Sequence, residues 1–205
     1  MRLLFVCTGN LCRSAVAHGL AEARLARGPR SQAAQVHLLS AGTNAPVGEP
    51  MDPHSAAALV RLGGDPAARR ASALTAQLAD SADLVLTMTR GHRAAVLQLS
   101  PRGLRRTFTL REAADLLRDV ETGDLGRLPP DQRARELAFR LAARRAHRPS
   151  TEADDIVDPI GRGRSVHDQA AETIAEALEP LLDALFCDDS DGEPLPAEPQ
   201  LRPGG

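Results

Sequence analysis

Apolar positions along this chain come in short unbroken runs that alternate with helical patterns. Arg2–Val6 is a compact apolar run, and Ser14–Arg27 has helical spacing. Val36–Ser40 is a second short run, followed by a Gly- and Pro-containing loop over 42–53 and a helix over His54–Leu62 that Gly63-Gly64 stops. Asp83–Met88 reads as a strand buried on both faces, Thr89–Gln98 as a helix, Thr107–Leu110 as a short strand leading into a helix to about Asp119, and Val166–Phe186 as a long final helix. Strands alternating with crossover helices predict an α/β fold, a parallel sheet covered on both faces. The 205 residues are enough for one domain with additions.

Two segments stand apart. Residues 120–153 contain an Arg-dense helical pattern, Asp131–His147, with Leu137, Phe139 and Leu141 as a modest apolar side. It reads as a solvated extra helix or as a docking surface for an acidic partner. Residues 188–205 carry Asp188, Asp189, Asp191, Glu193, Glu198 and four prolines. Such a composition cannot bury a core and predicts a disordered tail after a domain spanning 1–187.

Charge and composition exclude more than they assert. The net charge of −2 and pI near 6.3 offer no nucleic-acid surface. Leu3–Val6 is too short for the apolar part of a signal peptide, and no run approaches membrane-span length. Three cysteines, two of them in one loop, do not form a secreted disulfide framework, so a cytoplasmic protein is expected. The histidines at 18, 37, 54, 92, 147 and 167 are scattered, and no His/Cys/Asp spacing along the chain suggests a metal. Neither metal nor cofactor is expected.

The chemistry concentrates where the first strand meets the first helix, in Cys7-Thr8-Gly9-Asn10-Leu11-Cys12-Arg13-Ser14. A helix start offers unpaired N–H groups and the positive end of the helix dipole, a ready anion site. Cys7 stands where that field favours thiolate. Arg13 presents a planar fork that matches two phosphate oxygens. Gly9 and Asn10 tolerate left-handed backbone. The amides from Thr8 to Ser14 complete a cradle. Together these imply nucleophilic attack on a bound phosphoryl group.

The same residues resemble the active-site loop of the low-molecular-weight protein tyrosine phosphatase family. Ser40-Ala41-Gly42-Thr43, Ala82-Asp83-Leu84-Val85-Leu86-Thr87-Met88 and Asp158-Pro159 resemble further family motifs in order, over about residues 1–118 and 154–186. The resemblance implies a four-stranded parallel sheet in the order 2-1-3-4. It implies Cys7 as nucleophile, Arg13 as phosphate clamp and Asp158 as general acid and then base. It further implies that Ser14 donates to the thiolate and that Ser40 ties down Asn10. Cys12 is the position that in several relatives forms a reversible disulfide with the nucleophile, a buried packing cysteine being the equal alternative. Cys187 carries no implied role.

The implied activity is that of a phosphomonoester hydrolase acting on phosphorylated protein, most simply phosphotyrosine. The aromatic walls of tyrosine-directed relatives are missing: the chain has no Trp and no Tyr, and Ile160 follows Asp158-Pro159. Leu11, Val47 and Ile160 offer aliphatic walls instead. Protein arginine phosphatase is the alternative, although that branch places threonine where Leu11 stands. A non-hydrolytic phosphate-recognising protein is disfavoured by the intact Cys7, Arg13 and Asp158. An arsenate reductase is disfavoured because no cysteine lies between Cys12 and Cys187.

Overall fold

The computed structural model describes residues 1–67 and 69–186. The acidic segment 188–205 and Cys187 lie outside them. The elements in chain order are β1 (Arg2–Cys7), α1 (Arg13–Leu25), a one-turn α2 (Arg30–Ala33), β2 (His37–Gly42), α3 (Pro53–Arg61), α4 (Ala76–Ser81), β3 (Leu84–Thr87), α5 (Arg90–Leu99), β4 (Thr107–Thr109), α6 (Leu110–Leu117), α7 (Pro130–Arg145) and α8 (Arg164–Leu185). The strands pair in parallel in the order β2-β1-β3-β4, as expected.

Strand alternation builds the layers. Leu3 and Phe5 point to one face of β1 and join the cores of α1, α6, α7 and α8, whereas Leu4 and Val6 point to the other and pack with Val85, Ala79 of α4 and Val96 of α5. β1 is buried from Leu3 to Cys7, which is why it reads as an unbroken apolar run rather than an alternating one. Cys7 ends this inner strand, on the side of the carboxyl ends of the strands where ligands of such folds bind.

Local signals account for the helix starts. Asp52 caps α3, its Oδ1 accepting from the amides of His54 and Ser55, with Pro53 preset as the first helical residue. Thr75 caps α4 and Thr89 caps α5. Thr109 and Glu112 form a reciprocal capping box on α6. α4 escapes the sequence reading because six residues give too little periodicity to detect.

The Arg-rich helix departs from expectation. α7 is not a solvated addition. Ala134, Leu137, Ala138 and Leu141 are buried in the main core, while Phe139 is 59% exposed on the opposite side of the helix. Leu137 and Leu141, four residues apart, share a face that Phe139 cannot share. Four of its five arginines, Arg133, Arg135, Arg140 and Arg145, pair within the fold. Arg133 is 2% exposed and donates to the carbonyls of Leu125, Gly126, Leu128 and Leu185, locking α7 to the end of α8. Arg135 meets Asp83, and Arg140 meets Asp124 and Glu136. Arg145 meets Glu112 and lies 3.9 Å over the Phe108 ring.

Candidate active site

The β1–α1 loop wraps around the Cys7 sulfur. Asn10 has φ 55°, a left-handed turn that Asn tolerates and that brings its own amide to within 3.3 Å of Cys7 Sγ. The Asn10 side chain then braces the loop on two sides. Its Nδ2 donates to Ser14 Oγ at 2.9 Å, and its Oδ1 accepts from the Ser72 amide at 2.9 Å. Ser14 Oγ lies 3.0 Å from Cys7 Sγ. Since that hydroxyl already accepts from Asn10, its own proton is directed to the sulfur. Ser14 lies within the first turn of α1 rather than at its N-cap, which is Cys12.

Ser40 does not brace Asn10. Its hydroxyl lies 3.1 Å from His18 Nδ1, while Asn10 is held by the main chain of the 72 region. The physical reason is that the segment around Ser72, hydrogen-bonded along Gly42 at the end of β2, supplies a backbone donor to Asn10. Gly42 allows the cysteine loop to lie close against the end of β2. A Cβ there would stand 2.4 Å from the Thr8 carbonyl oxygen and 2.9 Å from the Gly9 carbonyl carbon. The amides of Thr43 and Asn44 bond the carbonyls of Cys7 and Thr8, so the loop is pinned along its length.

Arg13 is 4% exposed and reaches across the loop. Its NH1 donates to the Ile156 carbonyl at 3.0 Å, its NH2 lies 3.5 Å from Thr8 Oγ1, and its NH2 meets Asp158 Oδ2 at 2.5 Å. The guanidinium thus joins the cysteine loop to the Asp158 loop. Two neighbouring acids are occupied elsewhere. Asp154 accepts from Arg148, Ser150 and the Thr151 amide, and Asp155 takes Arg90 side on together with the Arg90 amide. The Ile156 amide bonds the Met88 carbonyl. Asp154, Asp155 and Ile156 anchor the loop, leaving Asp158, 41% exposed, as the carboxyl that faces the cysteine loop.

One supporting residue escapes the sequence reading. His92 is buried at 8% exposure, with Nε2 2.9 Å from Thr8 Oγ1 and Nδ1 2.9 Å from Thr89 Oγ1. Thr89 Oγ1 also accepts from the His92 amide, so the ring is held between two threonine hydroxyls, and Thr8 Oγ1 is shared by His92 and Arg13. The clue lay in position: a polar residue just beyond the carboxyl end of β3 belongs to the ligand crevice.

Burial, reinforced by the Arg13 charge, lowers the His92 pKa to about 4, so the ring is neutral. The unfolded chain binds this proton below about pH 6.5, whereas the folded chain resists it until about 4. Stability therefore falls as pH drops through that window. Burial and then the Arg69 charge shift His18 the same way, which adds to the slope. We expect His92→Gln to remove up to about 3 kcal/mol of this acid sensitivity, read as a flatter melting temperature between pH 6.5 and 4. An unchanged slope would rule out the His92 contribution.

Cys7 and Cys12 are both free and buried. Burial first, with the Asp52 and Cys7 charges adding to it, pushes the Cys12 thiol up to about 12. A Ser55 hydrogen bond acts in the opposite direction.

Three comparisons bear on this geometry. A family model described as low molecular weight phosphotyrosine protein phosphatase matches residues 2–125. A protein-arginine-phosphatase of Geobacillus stearothermophilus is 38% identical over 111 residues, covering 54% of this chain and 70% of the relative. A probable low molecular weight protein-tyrosine-phosphatase EpsP of Ralstonia nicotianae is 33% identical over 110 residues, covering 54% and 70%. A solved structure described as "YwlE arginine phosphatase - C7S mutant with phosphorylated active site serine" superposes with a TM-score of 0.65 at 27% identity, over 93% of this chain and 99% of the other.

Proposed function

This chain belongs to the low molecular weight phosphotyrosine protein phosphatase family, a family of phosphoric monoester hydrolases. From that premise we propose that it hydrolyses phosphotyrosine in proteins through a phosphocysteine intermediate on Cys7. The observation that carries the reading is the joining of three groups. Cys7 Sγ receives the Ser14 and Asn10 donors, and Arg13, seated against the same loop, reaches Asp158 at 2.5 Å.

In this reading, phosphate oxygens take the Arg13 fork and the amides of residues 8–14. Arg13 NH2 turns from Asp158 to the phosphate, which leaves the carboxyl free to face the leaving oxygen. Cys7 attacks phosphorus, the S–P bond forms as the P–O bond breaks, and Asp158 gives its proton to the leaving group. Asp158 then takes a proton from water as that water attacks phosphorus, and the S–P bond breaks. The Ser14 proton stabilises the sulfur as leaving group. Arg13 spreads the charge of both transition states.

Leu11 favours an aryl substrate, with exposed Val47, Val157 and Ile160 on the neighbouring loops as aliphatic surface. The observation on the other side is aromatic poverty. Phe5, Phe108 and Phe186 are fully buried, and Phe139 lies on α7 beside Leu104 and Arg105. Together with the arginine-phosphatase relatives, this favours phosphoarginine as the second reading. Ring stacking of about 0.5–1.5 kcal/mol per aromatic pair is lost, so weaker affinity for tyrosine peptides than in an aromatic-walled relative is expected.

Phosphate release from matched phosphotyrosine and phosphoarginine peptides decides between them. Faster release from phosphotyrosine is expected, and faster release from phosphoarginine would overturn that choice while leaving the chemistry intact. Among the described residues no helix is long and apolar enough to cross a membrane. A cytoplasmic setting, with phosphorylated proteins as substrates, fits this reading.

A further inference from the structure

The fold gathers a second group of reactive side chains behind the phosphate cradle. Cys12 comes from the end of the cysteine loop, Asp52 from the cap of α3, and His167 from the first turn of α8. One ligand atom from each lies within 4.8 Å of the others. Cys12 is 4% and His167 1% exposed. Ser55, 2% exposed, stands beside them, its Oγ 2.8 Å from His167 Nδ1 and hydrogen-bonded to Cys12. His167 Nδ1 also lies 3.4 Å from Asp52 Oδ1. His167 Nδ1 is thus the ring nitrogen that faces Asp52 and Ser55, while Nε2 is buried with no hydrogen-bond partner among the described residues.

We propose that Cys12, Asp52 and His167 form a binding site for a borderline-soft divalent cation, with zinc the best chemical match. A thiolate, an imidazole and a carboxylate are the ligand set zinc prefers. Tetrahedral zinc at about 2.0–2.3 Å from each ligand atom places those atoms roughly 3.3–3.7 Å apart, a small contraction from the spacing here. Ser55 Oγ or a water supplies the fourth position. Asp52, whose side chain is 19% exposed, gives the way in from solvent.

Binding breaks the Cys12 S–H bond, forms a sulfur–metal bond and releases the proton to water, with no change of oxidation state. The bound cation would offset the negative charge that the Cys12 thiolate adds beside the Asp52 carboxylate. Cys12 sits between Leu11 and Arg13, and the Asp52 amide bonds the Leu11 carbonyl. An occupied site therefore clamps the cradle to α3 and α8 and withholds Cys12 from Cys7.

Cobalt(II) is the probe, added to the full chain after chelator treatment. The expected result is one Co²⁺ per chain, with a thiolate-to-cobalt charge-transfer band and tetrahedral visible bands, both displaced by zinc. The bands persist in Cys7→Ser, and the charge-transfer band is lost in Cys12→Ser. Asp52→Asn, which keeps a helix-capping oxygen, and His167→Gln weaken binding roughly 10- to 100-fold, with folding checked by far-UV circular dichroism. The site is overturned if the wild type shows no band in excess cobalt, if the band vanishes in Cys7→Ser, or if it survives Cys12→Ser or His167→Gln unchanged. Zinc should also slow aryl phosphate turnover in the wild type more than in Asp52→Asn. This second readout rests on the phosphatase reading, whereas the cobalt spectrum does not, so the two can fail separately.

Discussion

Replacing Cys7 with serine is expected to lower turnover of an aryl phosphate by about 10⁶-fold, the scale on which removal of a covalent nucleophile acts. A serine hydroxyl is not ionised at neutral pH, and among the described residues no base is hydrogen-bonded at this position. The groups next to Cys7 Sγ are the Ser14 hydroxyl at 3.0 Å and the Asn10 amide at 3.3 Å, both donors in this network. They stabilise an anionic sulfur but cannot take a proton from an alcohol. The phosphate cradle is otherwise intact in this variant, because Arg13 and the backbone donors do not depend on the sulfur. Inorganic phosphate should therefore bind with unchanged affinity by calorimetry. Any residual chemistry should trap phosphate on the introduced serine, as the YwlE mutant structure describes for its own active-site serine. Near-wild-type turnover would remove Cys7 from the mechanism.

Asp158→Ala is expected to lower kcat by about 10²–10⁴-fold, with the loss growing as the leaving group becomes a poorer one. Nitrophenolate departs readily without a proton and should be least affected, whereas a simple phenol or tyrosine should be most affected. KM should not rise. Asp158 Oδ2 holds Arg13 NH2 at 2.5 Å and competes with phosphate for it, so its removal leaves the guanidinium at least as available. A rise in KM with kcat unchanged would make Asp158 a binding residue. Equal losses across leaving groups would remove it as the acid. The neighbouring Asp154 and Asp155 cannot stand in, because each is held by an arginine that anchors the loop. Asp155→Ala should therefore act through loop position and show no dependence on the leaving group.

Several features of this protein were legible as soon as the chain was read. Consecutive apolar residues from Leu3 to Val6 demand a strand buried on both faces, and parallel pairing with helical crossovers follows from the alternation of runs. Cys7, Arg13 and the residues between them lie within one turn of chain, so local geometry suffices to bring them together. Asp158 was found through a motif rather than through spacing, since 145 positions separate it from Arg13 and nothing local links them.

What escaped was whatever depends on which surfaces meet. Ser40 was assigned to Asn10, but that side chain turns to His18, and a backbone amide at Ser72 takes its place. A backbone donor can come from almost any residue type, so it leaves no trace in sequence. α7 reads as polar because its arginines outnumber its leucines. Only the packed structure shows that Arg133 donates to four carbonyls while Leu137 and Leu141 fill the core. The scattered histidines suggested no site, yet His92 props the cradle through Thr8, and His167 meets Cys12 and Asp52 across three elements.

The sequence by itself determined the sheet, the cradle and its nucleophile, because burial of apolar runs and the short-range geometry of a strand–loop–helix turn act within a few residues. The tertiary structure alone decided where the neighbouring acids turn, what braces the loop and which distant side chains share a buried space. Those outcomes turn on hydrogen-bond partners and desolvation, which exist only once separate elements have packed together.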